Sequence, residues 1–268
     1  MSSRNLGTLG LFFGLAASSG QSQTVETPRQ IVDSMIAAHG GMEKWASAPT
    51  VSFEVEMTPA GQPQGMVSRV TVEQGRRRAY HELPALSARM AWDGERAWSE
   101  NWKVPAPPRF LALLHYYFSN LPWLTRDRGV RLASEGTAKL PGEATEYRTV
   151  RMTFDAGVGD SPRDYYVLYV HPATRRLRAI EYIVTYAGAL PEGLDASPPN
   201  LLLYQEHATV DGLVVPTRYE IFQKEGHKPF ATVVVRDWAF SKPFDAARLV
   251  MPPGGVVDTS SPVRRVKS

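Results

Sequence analysis

The chain has 268 residues, of which 43% are hydrophobic, 21% charged and 10% aromatic, and it contains no cysteine. Without sulfur ligands or thiols, a disulfide scaffold, a cysteine-ligated zinc or iron–sulfur site and thiol catalysis are all excluded. The formal net charge of +3 produces only a weak electrostatic field around a chain of this length. The apolar fraction is that of an ordinary globular protein, which indicates a folded domain. Nucleic-acid binding needs a concentrated basic stripe, and the export signal described next disfavours such a partner.

Residues 1–20 have the pattern of a secretory signal peptide. One basic residue, Arg4, precedes an apolar stretch from Leu6 to Ala17, and small residues suited to cleavage follow. The stretch is too short to span a bilayer as a helix, which takes about 20 apolar residues, and no cysteine follows it for lipid attachment. The sequence therefore predicts export to the periplasm, or secretion, with a buried N-terminal helix as the alternative.

The next segment begins with a helix and continues as a β-meander. Thr27-Pro28-Arg29-Gln30 combines an N-cap, a first-turn proline and a capping-box residue, and helical spacing extends to His39. Gly40-Gly41 then ends the helix. From Val51 onwards apolar and polar residues alternate, which is typical of strands, and Asp93-Gly94 predicts a tight hairpin turn.

A second helix follows a proline-rich break at residues 104–108. The segment from Arg109 to Asn120 has helical spacing and a wide apolar face. Strands resume at Val130 and bring the total to ten or eleven. No linker divides the strand series, so we predict a single domain over residues 21–242 and an irregular tail over residues 243–268.

Catalytic and metal-binding motifs are absent from the sequence. The six histidines are at least 20 residues apart and have none of the short spacings of zinc sites. Ser161, in Gly159-Asp160-Ser161-Pro162, is similar to the nucleophile block of GDS-type esterases, but its mid-chain position and the lack of an Asp-x-x-His motif favour an ordinary turn. We therefore assign no catalytic residue, no metal ligand and no cofactor.

Three basic runs occur at residues 76–78, 175–178 and 264–267. Each lies at a predicted turn or in the tail, which favours solvated surface positions. Attraction to an anionic membrane surface is the alternative, because clustered Lys and Arg side chains bind acidic headgroups.

Aromatic residues concentrate around the proline-rich break, with eight of them between residues 92 and 123. Such a cluster is often only core, yet a curved sheet covered by one apolar helix also builds a hydrophobic ligand cavity. The predicted ligand-binding residues from this region are Trp92, Trp98, Phe110, Leu114, Tyr117 and Trp123.

Five stretches together resemble a family of exported LolA-like proteins, within the outer-membrane lipoprotein-sorting superfamily. They are His39-Gly40-Gly41 with Trp45, Trp92-Asp93-Gly94 with Trp98, Tyr116-Tyr117 through Leu121-Pro122-Trp123, Tyr169 to Thr185, and Asp211 to Arg218. The resemblance implies a mainly β fold with two or three helices (α+β). Its sheet would be an incomplete antiparallel β-barrel of about eleven strands whose concave face is covered by helices.

The resemblance also implies a function, since characterised members of that superfamily carry lipids or lipoprotein acyl chains across the periplasm. It predicts a non-enzymatic binder whose partner is a lipid or acyl chain, with transient contact to an anionic membrane surface or to envelope proteins. Two alternatives stay open at this point. One is a hydrolase or other enzyme that uses the same cavity with His39 or His115 as base, and the other is a structural envelope scaffold whose cavity is filled by its own side chains.

Overall fold

A computed structural model describes residues 26–260 and residue 262. The predicted signal peptide, residues 1–20, lies outside the described residues. Four α-helices and thirteen strands are present in the part of the chain that is described. The helices are α1 (Pro28–Ala38), α2 (Met42–Ala46), α3 (Pro108–Leu111) and α4 (Leu114–Leu124). The strands are β1 (Thr50–Pro59), β2 (Met66–Glu73), β3 (Arg78–Leu83), β4 (Ala88–Trp92), β5 (Ala97–Glu100), β6 (Val130–Lys139), β7 (Glu146–Phe154), β8 (Tyr166–Val170), β9 (Leu177–Tyr182), β10 (Asn200–Val210), β11 (Leu213–Gln223), β12 (Lys228–Ala239) and β13 (Val256–Val257).

All thirteen strands belong to one antiparallel sheet, in the order β13-β5-β4-β3-β2-β1-β12-β11-β10-β9-β8-β7-β6. The order consists of two meanders, β1–β5 and β6–β12, which join where β1 pairs with β12, as at Met57 and Val233. Strands β6 and β13 are the two ends of the sheet among the described residues, so the sheet is open. The predicted fold class, a mainly β open half-barrel with covering helices, is confirmed, although there are more strands than the predicted ten or eleven.

The sheet buries apolar side chains on both of its faces, but unequally. Along β8, Tyr166, Leu168 and Val170 join the main hydrophobic cluster together with residues of α1, α2 and α4. Val167 and Tyr169 point to the other face and join a smaller cluster, because successive side chains of a strand alternate. The helices therefore cover the face that carries the larger core.

Helix α1 begins as the sequence predicts. The Thr27 hydroxyl accepts a hydrogen bond from the Gln30 amide (3.3 Å), and the Gln30 side chain accepts one from the Thr27 amide (2.8 Å). The helix ends at Ala38, and Gly40 follows with a φ of 101°. A β-carbon at Gly40 would lie 2.2 Å from the carbonyl oxygen of Gly212, so glycine is required where this end of α1 meets the β10–β11 turn.

The prediction of one helix from Arg109 to Asn120 is wrong. The segment forms two helices, α3 and α4, separated at Leu113, whose φ of −123° and ψ of 2° are not helical. The Nε2 atom of His81 lies 3.0 Å from the carbonyl oxygen of Ala112, so a side chain of β3 satisfies a backbone acceptor exposed by the break. A tertiary contact, which no local pattern encodes, therefore stabilises this interruption.

The segment after Lys242 is not entirely irregular. It contains a short 3₁₀-helix, Ala246–Leu249, and β13, which extends the sheet by pairing with β5. The boundary of the domain at residue 242 stays a prediction.

Candidate ligand-binding site

Four of the six predicted ligand-binding residues belong to the helix-covered core. Trp92 and Trp123 are buried in the main cluster, and Leu114 and Tyr117 pack against it half-buried. Their role in binding stays a prediction, but the structure brings them to one face of the sheet.

Trp98 lies on the opposite face from Trp92. In the β4–β5 hairpin Trp92 pairs with Ala97, and Ala97 shares its cluster. The next residue, Trp98, must therefore point the other way. Its indole Nε1 donates to the carbonyl oxygen of Leu249 (2.7 Å), so Trp98 holds the C-terminal segment and does not line the helix-covered face.

An aromatic layer fills the space between α4 and strands β7–β11. Tyr117 contacts the rings of Phe154 (6.4 Å between centroids) and Tyr166 (5.7 Å), and Phe118 contacts Tyr182 (4.9 Å). The strand residues of this layer do not belong to the aromatic cluster that the sequence shows between residues 92 and 123. Only the alternation of apolar and polar residues along β7–β9 indicates that they face the core. The interior beneath α4 is thus occupied by the protein's own side chains.

Two tryptophans connect α4 to the α1–α2 corner. Trp123 stacks on Trp45 (5.7 Å between centroids, 4° between planes) and donates from Nε1 to the carbonyl oxygen of Gly41 (3.1 Å). Trp45 donates in turn to Asn120 Oδ1 (2.9 Å), and Asn120 Nδ2 donates to the carbonyl oxygen of Tyr116 (3.0 Å). The side-chain amide of Asn120, although buried, therefore uses both of its polar atoms.

On the sheet side, α4 is held by two tyrosine hydroxyls. Pro122 lies inside α4 and has no N–H, so the carbonyl oxygen of Phe118 lacks its intrahelical donor. The hydroxyl of Tyr204 donates to that oxygen at 2.5 Å. The hydroxyl of Tyr219 and Nδ1 of His115 are hydrogen-bonded at 3.0 Å, so α4 is attached to β10 and β11 through polar side chains in an apolar layer.

Four histidines in and around the helix layer are held neutral by their surroundings. Burial lowers the pKa of His39, His81, His115 and His207 to about 4. His39 Nδ1 donates to the carbonyl oxygen of Val214 (2.8 Å), and its Nε2 accepts from the Leu177 amide (3.2 Å). With both ring nitrogens bonded to backbone, His39 has no free nitrogen with which to act as a catalytic base.

Arg109 fixes the start of α3 at the edge of this layer. Its guanidinium lies 3.2 Å from the ring centroid of Trp92 and 2.5 Å from Asp160. Phe110 contacts the ring of Tyr186 (5.4 Å) and is the sixth of the predicted ligand-binding residues. Asp160, in the turn that carries Ser161, thus takes part in an ion pair.

Two surface grooves lie between α1 and the segment that follows α4, a location that the sequence does not indicate. One has a volume of about 510 Å³ and is lined by Arg29, Asp33, Ile36, Ala37, Gly41, Met42 and Arg126. The other, of about 290 Å³, is lined by Thr27, Pro28, Arg29, Thr125, Arg126, Asp127, Val130 and Leu132. Asp33 and Arg126 form an ion pair between the two walls, and residues so far apart in the chain carry no local signal of proximity.

An open antiparallel sheet covered on one face by helices is the LolA-like fold, and comparison with solved structures confirms it. A LolA superfamily protein from Nitrosomonas europaea is similar with a TM-score of 0.52 at 12% identity, covering 84% of this chain and 98% of that one. A DUF1329 family protein from Desulfovibrio piger is similar with a TM-score of 0.53 at 11% identity, with the same coverage. At these identities the likeness concerns the fold alone.

No family model matches the sequence, and no curated protein does. Among the described residues, no helix is long and apolar enough to cross a membrane, and no group of three histidine, aspartate or glutamate side chains is arranged to hold a metal ion.

Proposed function

We propose that the protein is an exported, non-enzymatic binder of a lipid or acyl chain. The ligand enters the space between α4 and the sheet, which the aromatic layer now fills. The α3–α4 segment acts as a lid over that space. The single observation that carries the proposal is the way α4 is attached: an apolar helix is held over a sheet by ring contacts and a few side-chain hydrogen bonds. The LolA-like fold and the signal-peptide pattern of residues 1–20 support the same proposal.

The lid has two places at which its backbone can bend. One is the non-helical residue Leu113 between α3 and α4, and the other is Pro122, which interrupts the hydrogen-bond ladder of α4. Movement about these points displaces α4 without breaking a strand pairing. The ligand-facing residues of the proposal are Leu114, Tyr117 and Trp123 on α4 and Trp92 on β4.

Burial of the acyl chain is the favourable term in loading. A buried chain gains about 0.8 kcal/mol per methylene group, so about ten methylenes contribute roughly 8 kcal/mol. The opposing terms are the hydrogen bonds that α4 gives up, at about 1 kcal/mol each, and the ring contacts of its buried side chains.

The first experiment is lipid extraction from gently purified protein, followed by mass spectrometry. We expect an amphiphile in near-stoichiometric amount, or uptake of a fluorescent fatty acid by protein stripped of it. An enzyme using the same interior would instead consume its ligand, which the same mass spectra reveal as product. Absence of both bound amphiphile and uptake would mean that the interior is simply a packed core, and the proposal would be wrong.

A pair of variants locates the site. Tyr117→Gln places an amide in the aromatic layer and should weaken uptake of the fluorescent fatty acid at least fivefold, because a polar group is costly beside an acyl chain. Tyr169→Gln is the matched control, because Tyr169 lies on the opposite face of the sheet, and it should leave uptake within twofold, with folding of both variants checked by circular dichroism. Equal losses in the two variants would contradict the assignment of the helix-covered face.

A further inference from the structure

The C-terminal strap, residues 244–260 and residue 262, contacts both meanders of the sheet. Near its start, Phe244 contacts the ring of Tyr80 on β3 (5.6 Å). The carbonyl oxygen of Leu249 accepts from Trp98 on β5, and the amide of Asp258 donates to the carbonyl oxygen of Ala97 (2.8 Å). The first part of the strap is therefore fixed to β3 and β5, in the β1–β5 meander.

The last part of the strap is fixed to the lid and to the other meander. The side chain of Asp258 accepts from the amide of Arg109 at the start of α3 (2.7 Å). Ser260 and the hydroxyl of Tyr186 are hydrogen-bonded at 2.8 Å, and the carbonyl oxygen of Pro262 accepts from the Ala187 amide (3.1 Å). The strap thus connects an edge of the sheet with the first helix of the lid.

Within the strap, the edge segment, residues 250–257, exposes apolar side chains to an unusual degree. Val250 is 72% exposed, Val256 66%, Met251 44% and Val257 41%, and the amide of Gly255 closes the turn on the carbonyl oxygen of Pro252 (2.9 Å). Four of the six large hydrophobic residues that are exposed in the described chain lie in these eight positions. Such a concentration of exposed apolar side chains is typical of a surface that binds a partner or a membrane.

The edge segment has features that suit a lipid medium better than one face of a protein partner. Val256 and Val257 are neighbours on an edge strand and so point to opposite faces, yet both are exposed. A flat partner would cover only one of them, whereas lipid surrounds both. Two successive prolines, Pro252 and Pro253, carry no N–H groups, which reduces the number of polar backbone groups that insertion would desolvate.

The charge of the C-terminal region complements acidic headgroups. Residues 241–268 contain five basic side chains and two acidic ones. Arg248 forms ion pairs with Glu82 and Asp245, so the excess positive charge of the region comes from Lys242 and from the basic run 264–267, which follows the strap in the sequence. Exposed apolar side chains in the same segment as Lys and Arg are a combination that binds an anionic bilayer surface.

We propose that the edge segment docks the protein on an anionic phospholipid bilayer. The inference deepens the proposed function and rests on it for its purpose: docking would bring the α3–α4 lid, joined to the strap through Asp258, to the membrane from which a lipid is taken or to which it is given. Docking itself is measured without any bound ligand, so the two proposals fail separately.

The test is flotation of the full chain with vesicles, one set of phosphatidylglycerol and phosphatidylethanolamine and one of phosphatidylcholine alone. We expect at least tenfold stronger binding to the anionic vesicles, weakened severalfold in 0.5 M salt because salt screens the basic residues. Replacing Val250, Met251, Val256 and Val257 together by serine should weaken binding to anionic vesicles at least tenfold. The matched control, Leu194→Ser with Phe230→Ser, removes two exposed apolar side chains elsewhere and should change binding by less than twofold.

A second measurement does not depend on the folding of the fourfold variant. Since the chain has no cysteine, Val250→Cys can be labelled uniquely with an environment-sensitive fluorophore. Its emission should shift to the blue with anionic vesicles, and emission from a label at Phe230→Cys should not.

The proposal is overturned if the wild type fails to bind anionic vesicles, if the control variant loses as much binding as the fourfold variant, or if the label at position 250 reports no change. Capture of an envelope protein by the strap in the absence of vesicle binding would overturn it in favour of a protein partner. Ligand uptake in solution that persists while docking fails would leave the proposed function standing.

Discussion

Helix α4 and the central strand pair β1–β12 are both buried, but they are held in different ways. Strands β1 and β12 are joined by a ladder of backbone pairs, in which, for example, Val55 lies opposite Val235. Helix α4 is held through the side chains of Trp45, Tyr204 and Tyr219. A ligand can replace side-chain contacts one at a time, whereas a strand ladder opens as a unit, so the low-stability region of the molecule should be α3–α4.

Acid should produce the largest effect on stability, through histidines that are buried around the helices. The pKa of a histidine in the unfolded chain is about 6.5, and burial lowers the pKa of four histidines near the helices to about 4. Between these values the unfolded state binds protons that the folded state does not, so the free energy of unfolding must fall as the pH is lowered from about 6.5 to about 4. Each histidine contributes at most roughly 3 kcal/mol.

Two carboxyl groups oppose this trend. Burial raises the pKa of Asp164 to about 6, so the folded state binds a proton there more readily and offsets the effect of about one histidine. Burial also raises the pKa of Asp127, which acts in the same direction. Urea unfolding at pH 7, 5.5 and 4.5 should show a steep net loss of stability. His115→Phe should reduce that slope by about one proton, and a flat profile for the wild type would contradict the account.

Truncation of Trp123 should be the largest single-residue effect. The Trp123→Ala variant removes the stack on Trp45 and the hydrogen bond to Gly41 from a fully buried position, which should cost about 3–5 kcal/mol in urea unfolding. Trp102→Ala is the matched control, because Trp102 is half-buried and its indole bonds only four residues away, to Ala106. Similar losses in both variants would show that α4 is not anchored at the α1–α2 corner.

The Tyr204–Phe118 hydrogen bond should contribute less, and a double-mutant cycle isolates it. Tyr204→Phe leaves the carbonyl oxygen of Phe118 buried without a donor and should cost about 1–3 kcal/mol. Pro122→Ala restores an N–H that can donate to the same oxygen, so in that background the cost of Tyr204→Phe should fall by at least half. An unchanged cost would mean that the tyrosine acts through packing alone.

Local sequence signals predicted the elements that local chemistry determines. The capping box at Thr27 predicts the correct start of α1, and the alternating pattern predicts a meander of strands, whereas the open half-barrel covered by helices is what the resemblance to LolA-like proteins implies. The break at Leu113 was missed, because residues 109–124 contain no glycine and only one late proline, and the interruption is stabilised by His81, about 30 residues earlier in the chain.

The composition of the candidate site was only partly predictable. Trp98 was grouped with Trp92 by its position in the sequence, but the register of the hairpin pairs Trp92 with Ala97 and turns Trp98 to the other face. The sequence does not indicate that Tyr166, Tyr182 and Tyr204 lie beside α4, because they reach it only through the pairing of β8, β9 and β10. Contacts that span such long stretches of chain are set by sheet topology and not by spacing.

Hydrogen exchange measured by mass spectrometry tests the lid most directly. In the free protein, amides of residues 108–124 should exchange at least tenfold faster than those of β1 and β12, and a bound fatty acid should change the exchange of residues 108–124 selectively. Exchange of α3–α4 at the same rate as the central strands, with no response to the fatty acid, would contradict the claim that α3–α4 is a displaceable lid.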